Sequence, residues 1–544
     1  MFIKRCLAKF KDKEYETFWI VESYRDNNKK IKHKYLLNVT SFTPKQRENL
    51  KKVLKNPDAL VYEDLNEIFD SAYSYGDIVF LLLIFKKLGL IKILNKHLDK
   101  KSLSLILAVI LNRIINPTSK LESVNWIKNT AYPLFTEINL EDLHVNRIYE
   151  AMDKLNENLN SIMEDFYMLG GETPKFLLYD ITSTYFEGSS VRKAKYGYSR
   201  DEKDNNPQVI LGLVLNEKGF PIHFEIFDGN TQDRETVQSV LQRIKDRFGI
   251  ERATFIGDRG MISIHNIEKI KSLGFNYILA MKHSSARELL KKNNIQPELF
   301  DSELPITILE EDDKKYVLCG SIYRRERDLK SFNIILDKGR KTLNEVKEMV
   351  KSGVIKDSAK ILRRAERKLS RTKASSYFDF AYINGEFSFW EKEELIEKSR
   401  ALCGYYILET TEKDLSDIEV ENRYKNLQEV ERAWRDLKDI VKIRPIFHFK
   451  DRRVETHIYL CLIAQAVIGY IRRRLKEKGW LSKVKENTLV YFFEELNSIS
   501  IGKFNINNKE VFAVQKENPL KDLLLLAFNI KPFDYKRDRK LCSI

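Results

Sequence analysis

This sequence is poor in the features that mark several common protein classes. Five cysteines in 544 residues (Cys6, Cys319, Cys403, Cys461, Cys542) are odd in number and far apart, which excludes a disulfide framework. None stands in a Cys-x-x-Cys or Cys/His arrangement with zinc-ligand spacing, so free thiols in a reducing compartment are expected. No Ser sits in a Gly-x-Ser-x-Gly elbow and the eight His residues do not cluster with a Cys, which argues against serine or cysteine nucleophile chemistry. The N-terminus lacks an apolar core followed by a small-residue cleavage site, so no signal peptide is expected. The longest apolar run, 458–471, contains Gln465 and is too short for a membrane span; it reads as a buried helix. No internal repeat or long low-complexity segment is visible.

What is present is charge, with one sign in excess. Apolar residues at 43% can build real cores, and charged residues at 32% leave a well-solvated surface. The length implies roughly three or four folding units. A net charge of +15 points to a polyanionic partner, nucleic acid before an anionic membrane. Residues 321–375 hold 17 Lys/Arg against 7 Asp/Glu, so about a tenth of the chain carries most of the excess. Within that stretch Lys360, Arg363, Arg364, Arg367 and Arg371 recur every three or four residues, one cationic stripe on an amphipathic helix over 358–369 and beyond.

Along the chain, 17–39 alternates like a β-hairpin, and from about 75 the apolar period becomes helical, making 1–165 a largely helical N-terminal region. Residues 170–285 read as strand (175–184), hairpin (209–215 and 220–227, joined by Asn216-Glu217-Lys218-Gly219), helix (234–248), strand (253–257), helix (264–273) and strand (277–281). That order fits a mixed α/β sheet. Residues 286–400 interrupt it with strands at 316–322 and 377–382 and the basic helix. A strand at 405–409 and a long helix at 418–440 resume the pattern over 401–465, and 466–544 is a helical C-terminal region.

Three acids stand out. Asp180 follows Phe176-Leu177-Leu178-Tyr179, and Asp258 follows Thr254-Phe255-Ile256-Gly257; each is read as closing a strand. On neighbouring strands the two carboxylates would emerge together and repel, a conflict that a divalent cation removes. The helix over 418–440 supplies Glu431, and at 100° per residue Tyr424, Glu431 and Lys438 fall within about 60° of one another on one face. Two hard cations about 4 Å apart between such acids suit phosphodiester chemistry. Glu187, Asp228 and Glu429 are rival acids. Trp434 reads as core, on an apolar face with Ala433 and Leu437, His457 as a polar helix position, and His448 as a residue of the basic stretch 444–453.

With these residues in view, the chain resembles the DDE transposases of bacterial insertion sequences, in the group whose third motif is Tyr-x2-Arg-x3-Glu-x6-Lys. Tyr424, Glu431 and Lys438 match that spacing; Leu427 stands where the motif has Arg, and Arg423 and Arg435 are the nearby candidates to replace it. Asp180-Ile181-Thr182 is similar to the family's first motif and Asp258-Arg259-Gly260 to its second; Tyr196 to Asp201, Gly229 to Thr231 and Arg444 to His448 are further family-like stretches. The resemblance implies an α/β fold: an RNase H-like catalytic core (170–285 and 401–465) split by a basic insertion domain (286–400), with a helical N-terminal domain (1–165) that reads DNA ends. It implies Asp180, Asp258 and Glu431 as catalytic residues and ligands of two Mg²⁺ (or Mn²⁺) ions. It implies cleavage at element ends followed by strand transfer into target DNA. Tyr424, Lys438, Arg259, Arg435 and the stripe Arg363, Arg367 and Arg371 are the expected DNA contacts. The expected partners are terminal inverted repeats, target DNA and a second copy of the chain, with no membrane; the expected location is the bacterial cytoplasm, on the nucleoid when DNA is bound. A nuclease of the same fold that does not join strands, and a retired transposase that only binds DNA, are the alternatives.

Overall fold

A computed structural model describes residues 1–10, 13–56, 69–171, 173–186, 191–197, 205–261, 263–297, 304–311, 313–480, 488–506, 509–515 and 520–544. The chain divides into two compact units, Met1–Tyr73 with Ser500–Gln515, and Ser74–Ile499 with Lys516–Ile544.

In the first unit, β1 (Phe2–Phe10), β2 (Lys13–Arg25) and β3 (Ile31–Asn38) form an antiparallel sheet. The expected hairpin is β2–β3; its turn is tied by Asp26, whose carboxylate accepts from the Asn28 and Lys30 amides, both at 3.0 Å. Helix α1 (Pro44–Lys55) starts at a capping box between Thr43 and Gln46, with Pro44 preset for the first turn. Strand β4 (Phe69–Ser74) lies beside the strand Ser500–Ile506, itself paired with Lys509–Val514. The boundary of this unit therefore falls at Tyr73 rather than near 165, and two strands from the end of the chain complete it.

The second unit begins with helices α2 (Gly76–Leu88), α3 (Leu90–His97), α4 (Lys100–Ile115), α5 (Lys120–Lys128), α6 (Val145–Glu157) and α7 (Leu159–Met168). Helices α2 and α4 are apolar nearly all round and buried nearly throughout, the signature of interior helices.

The sheet that positions the site follows. Its strands are β5 (Phe176–Tyr185), β6 (Gln208–Leu215), β7 (Pro221–Asp228), β8 (Thr254–Gly257), β9 (Asn276–Ala280), β10 (Ile306–Glu310) and β11 (Lys315–Gly320), with β12 (Phe378–Ile383) and β13 (Glu386–Glu391) forming a separate hairpin and β14 (Tyr405–Thr410) returning to it. The spatial order is β10-β11-β14-β9-β8-β5-β6-β7. Strands β5–β8 and β8–β9 are parallel; the rest pair antiparallel. Residues 306–320 thus belong to the sheet, and the excursion away from it is confined to 321–404.

One face of β5, β8 and β9 (Leu177, Tyr179, Phe255, Tyr277, Leu279) packs against α8 (Asp233–Phe248) through Val237, Val240, Leu241 and Ile244, and against α9 (Ile264–Ser272) through Ile270. Strand β6 is buried at every residue, consistent with cover on both faces. Beyond α10 (His283–Lys292), the excursion is built from α11 (Ile322–Lys351), α12 (Ser358–Leu369), the β12–β13 hairpin and α13 (Glu393–Ala401) around its own core of Phe332, Leu336, Leu343, Ile361, Phe378 and Phe387. The Arg340 guanidinium donates to both Glu391 carboxylate oxygens, at 2.6 and 2.9 Å, tying α11 to the hairpin.

Two glycines let the excursion leave and rejoin the sheet in one place. A Cβ on Gly320 would meet the Gly404 carbonyl at 2.9 Å, and one on Gly404, whose φ is +90°, would meet Arg325 Cβ at 2.5 Å.

The other face of the sheet receives α14 (Asp417–Lys425), α15 (Leu427–Arg435) and α16 (Asp451–Glu477); Trp434 and Tyr459 pack on Phe224 at 6.4 and 5.4 Å between ring centres. Helix α16 is long and apolar enough to cross a membrane, yet 78% of its apolar window is buried within the protein, which makes it a core helix. The expectation of one helix over 418–440 is corrected. Asn426 ends α14 and starts α15, and 436–440 winds as a wider π-turn.

Candidate active site

Asp180 is mid-strand rather than at a strand end, because Ile181–Tyr185 continues to pair with β6. What ends there is its neighbour. In the parallel β5–β8 register Leu178 faces Ile256, so Asp180 comes level with Asp258, the first residue past β8. Their separation of 78 in sequence equals the register offset. The side chains alternate, and Leu177, Tyr179 and Phe255 point into the α8–α9 core. Asp180 and Asp258 therefore share the opposite face, on strands spaced about 4.8 Å apart.

That face is closed by α15. Leu427, Val430, Ala433 and Trp434 are its buried stripe, leaving Glu431 on the exposed side. Asp180, Asp258 and Glu431 line one cavity of about 440 Å³, together with Tyr179, Gly320, Ser321, Arg324, Arg327, Tyr406, Glu421, Tyr424, Lys425, Leu427 and Gln428. Acids from two strands and one helix, separated by up to 251 positions, border a single solvent-filled space.

The far wall is cationic and was not foreseen from sequence. The Arg324 guanidinium lies 4.4 Å from the centre of the Tyr406 ring, and Tyr406 leans on Tyr424 at 5.8 Å. The Tyr406 hydroxyl donates to Glu421 at 2.9 Å, and Lys425 pairs with the same carboxylate at 2.8 Å. Burial, with Cys319 and Glu421 beside it, pushes the Tyr406 phenol above its usual range, so it remains a donor. These residues come from β14, α14 and the first turns of α11; only the pairing of β11 with β14 brings them together.

The Transposase DDE domain family matches residues 172–466, and the family described as IS1634 family transposase, N-terminal domain, matches residues 3–60. The first match spans more than half of the chain. The chain is a DDE transposase.

It is therefore an enzyme of DNA transposition from an insertion sequence, acting on DNA and dependent on divalent metal. No curated protein matches it. Among solved structures, a piggyBac transposase synaptic complex with hairpin DNA aligns with 78% of this chain and 80% of its own, at 8% identity and a TM-score of 0.38.

The cavity's donor set suits a hard divalent cation: four carboxylates (Asp180, Asp258, Glu421 and Glu431, of which Glu421 is engaged by Tyr406 and Lys425), no thiol and no imidazole. Among the described residues no three acids already converge on one point.

The remaining sequence candidates are placed as follows. Tyr424 lines the transposase's cavity; Lys438, in the π-turn, does not. An i→i+5 turn begins after Arg435, so Lys438 is carried on a wider turn than the helical one from which its place was read. Neither Arg423 nor Arg435 lines the cavity; Arg423 sits 4.2 Å over the Phe176 ring and Arg435 is exposed. The Arg259 side chain, Glu187 and Tyr198–Asp201 lie outside the described residues. Of the rival acids, Glu429 pairs with Arg432 at 2.9 Å, and Asp228 is exposed at the end of β7 away from the cavity.

Trp434 is buried as expected. His457, on α16, is buried, with its ring nitrogen 3.1 Å from the Ile443 carbonyl oxygen. His448 stacks 5.4 Å from it, and burial beside Lys120 and Arg113 pushes the His448 imidazole down to about 3, so it is neutral at physiological pH. Helix α12 has the bounds read from sequence. Ile361, Ala365 and Leu369 face the excursion's core, while Arg363 and Arg367, with Arg371 beyond its end, are exposed. Lys356, Lys360, Arg363, Arg364 and Arg367 line a groove of about 580 Å³.

Proposed function

We propose that Asp180, Asp258 and Glu431 are the catalytic acids of this transposase and hold two Mg²⁺ ions, with Mn²⁺ an acceptable substitute. The observation that carries the reading is the shared cavity, with the two aspartates level on adjacent parallel strands. Strands β5 to β9 lie in the order β7-β6-β5-β8-β9, with the first three antiparallel and the last two parallel to β5, which supports an RNase H-like core split by an insertion, the excursion over 321–404. Cations bound there would raise the nucleophilicity of water or a 3′-hydroxyl and neutralise charge on the leaving oxygen. The chain's own part is placement. The acids fix where the phosphodiester sits, Tyr424 orients the strand beside it, and Arg259, Lys438 and Arg435 hold flanking phosphates. Cleavage frees a 3′-hydroxyl at the element end, which then attacks a target phosphodiester in the same cavity. End recognition is read as the work of the N-terminal region, two copies of the chain hold the two ends, and the reaction takes place in the bacterial cytoplasm.

The direct test is a labelled duplex carrying an element end, incubated with Mg²⁺ and a target plasmid. Release of the 3′-end and its covalent transfer to the plasmid are expected, both abolished by EDTA and restored by Mn²⁺. Cleavage without transfer would make the protein a nuclease only; metal-independent cleavage would remove the acids from the mechanism.

Arg363, Arg367 and Arg371 are read as phosphate contacts of the insertion. Among the described residues none of the three makes an ion pair. Replacing all three by Ala is expected to weaken binding of any duplex alike, and to flatten the slope of log K against log salt by about 2 to 3. Fluorescence anisotropy over a salt series measures this; an unchanged slope would place DNA elsewhere.

A further inference from the structure

The family motif places an Arg where this chain has Leu427, a residue 8% exposed that lines the catalytic cavity but cannot bind phosphate. We propose that Arg324, at the start of the insertion, supplies the missing guanidinium and contacts the DNA phosphate next to the scissile bond. This rests on the reading of the cavity as the active site.

Four observations converge on Arg324. It lines the same cavity as the three acids and Leu427. Its guanidinium carbon lies over the Tyr406 ring, 4.4 Å from the centre, and Tyr406 is fixed in turn by its hydrogen bond to Glu421. Its Nε donates to the Asp328 carboxylate at 3.3 Å, and that carboxylate also accepts from the Gly404 amide at 3.4 Å, where the chain rejoins the sheet. Among the described residues its two terminal amino groups have no partner, so the edge that would grip a phosphate is available. A stacked, edge-presenting guanidinium is pre-organised for two-point binding of phosphate oxygens.

The surroundings favour an anion at that edge. Ser321 caps α11, its hydroxyl accepting from the Arg324 amide at 3.1 Å, and Gly320 and Ser321 both line the cavity. The N-terminus of a 30-residue helix therefore opens on the same space, adding its partial positive charge. Arg327, one turn further on and two-thirds exposed, extends the cationic wall. The cavity is thus divided, with carboxylates on the sheet side and guanidinium groups on the insertion side. A bridging phosphodiester would neutralise the second while sharing cations with the first. Asp328 is a positioning residue, since it holds Arg324 and the return of the chain together.

The experiment uses the full chain and a labelled element-end duplex. Arg324→Ala is expected to lower the cleavage rate about 100-fold while leaving the melting temperature unchanged. Arg324→Lys is expected to recover part of that loss, because it keeps the charge and loses the two-point fork. Adding Leu427→Arg to Arg324→Ala returns the guanidinium to the motif position and is expected to restore cleavage. Cleavage unchanged in Arg324→Ala overturns the proposal. So does a loss matched by Arg324→Lys and accompanied by a lower melting temperature, which would mark a purely structural role. Asp180→Asn run alongside separates the two readings. If it is inactive while Arg324→Ala is fully active, only the Arg324 assignment falls; if it too is active, the reading of the cavity as the active site falls.

Discussion

Asp180→Asn, Asp258→Asn and Glu431→Gln should each lower strand cleavage by at least about 1000-fold, some 4 kcal/mol of barrier, while leaving the transposase folded. The substitutions are nearly isosteric, so packing is preserved; what is lost is a negative oxygen able to hold a hard cation. Because each substitution keeps the shape of the side chain, the melting temperature of the metal-free protein should change little. A loss of activity without a matching loss of stability distinguishes a site built for a ligand from a structural ion pair, whose loss would lower both. Binding of an element-end duplex should survive all three substitutions. Single-turnover cleavage, thermal melting with and without Mg²⁺, and a gel-shift assay measure the three quantities. A variant that cleaves at the wild-type rate is not one of the catalytic acids.

That Asp180, Asp258 and Glu431 could border one cavity was legible from sequence because each sits in a strongly patterned segment. β5 to β9 are short apolar runs bounded by polar turns; Asn216, for example, accepts from the amides of Lys218 and Phe220 at 3.0 and 2.9 Å and so marks the β6–β7 hairpin. The offset of 78 residues became a register only once β8 was known to lie beside β5. The illegible parts have equally specific causes. β10 is a half-exposed edge strand with an irregularity between Thr307 and Leu309, which breaks its alternation. α11 spaces Phe332, Leu336, Leu343 and Val346 correctly for a helix but dilutes them among charged residues. The helix break at Asn426 and the π-turn after Arg435 involve no Gly or Pro, so nothing in the chain announced either of them. Arg324, Tyr406 and Glu421 carry no motif; their convergence is a product of strand pairing.

The same π-turn brings the second large effect into view. Arg472→Ala should destabilise the transposase by about 3 to 5 kcal/mol and reduce cleavage in the fraction that remains folded. Asp436 is 4% exposed, directly after the Glu431 helix, and both its oxygens accept from the Arg472 guanidinium of α16, one of them at 2.6 Å. This pair ties the end of the Glu431 helix to the core helix beneath it. Burial pushes the Asp436 carboxyl above its ordinary value, while the Arg472 partner pulls the other way. Without Arg472 only the charges of Arg432 and Arg435 oppose the burial, and the carboxyl rises further. A carboxyl whose folded value lies above its unfolded one, about 3.9, is favoured in the folded state while protonated. Its stabilising contribution is fully present below the unfolded value and is lost as pH climbs through the folded one. The stability deficit of Arg472→Ala against wild type should therefore be smallest near pH 4 and grow through neutrality. Urea denaturation at a series of pH values reads this directly. Because Glu431 lies five residues before Asp436, loss of the tether should also loosen the acid's placement. The double variant Asp436→Asn with Arg472→Met, which removes both charges, should recover stability and part of the cleavage rate. A pH-independent deficit, or no recovery in the double variant, would show that the pair does not anchor the Glu431 helix.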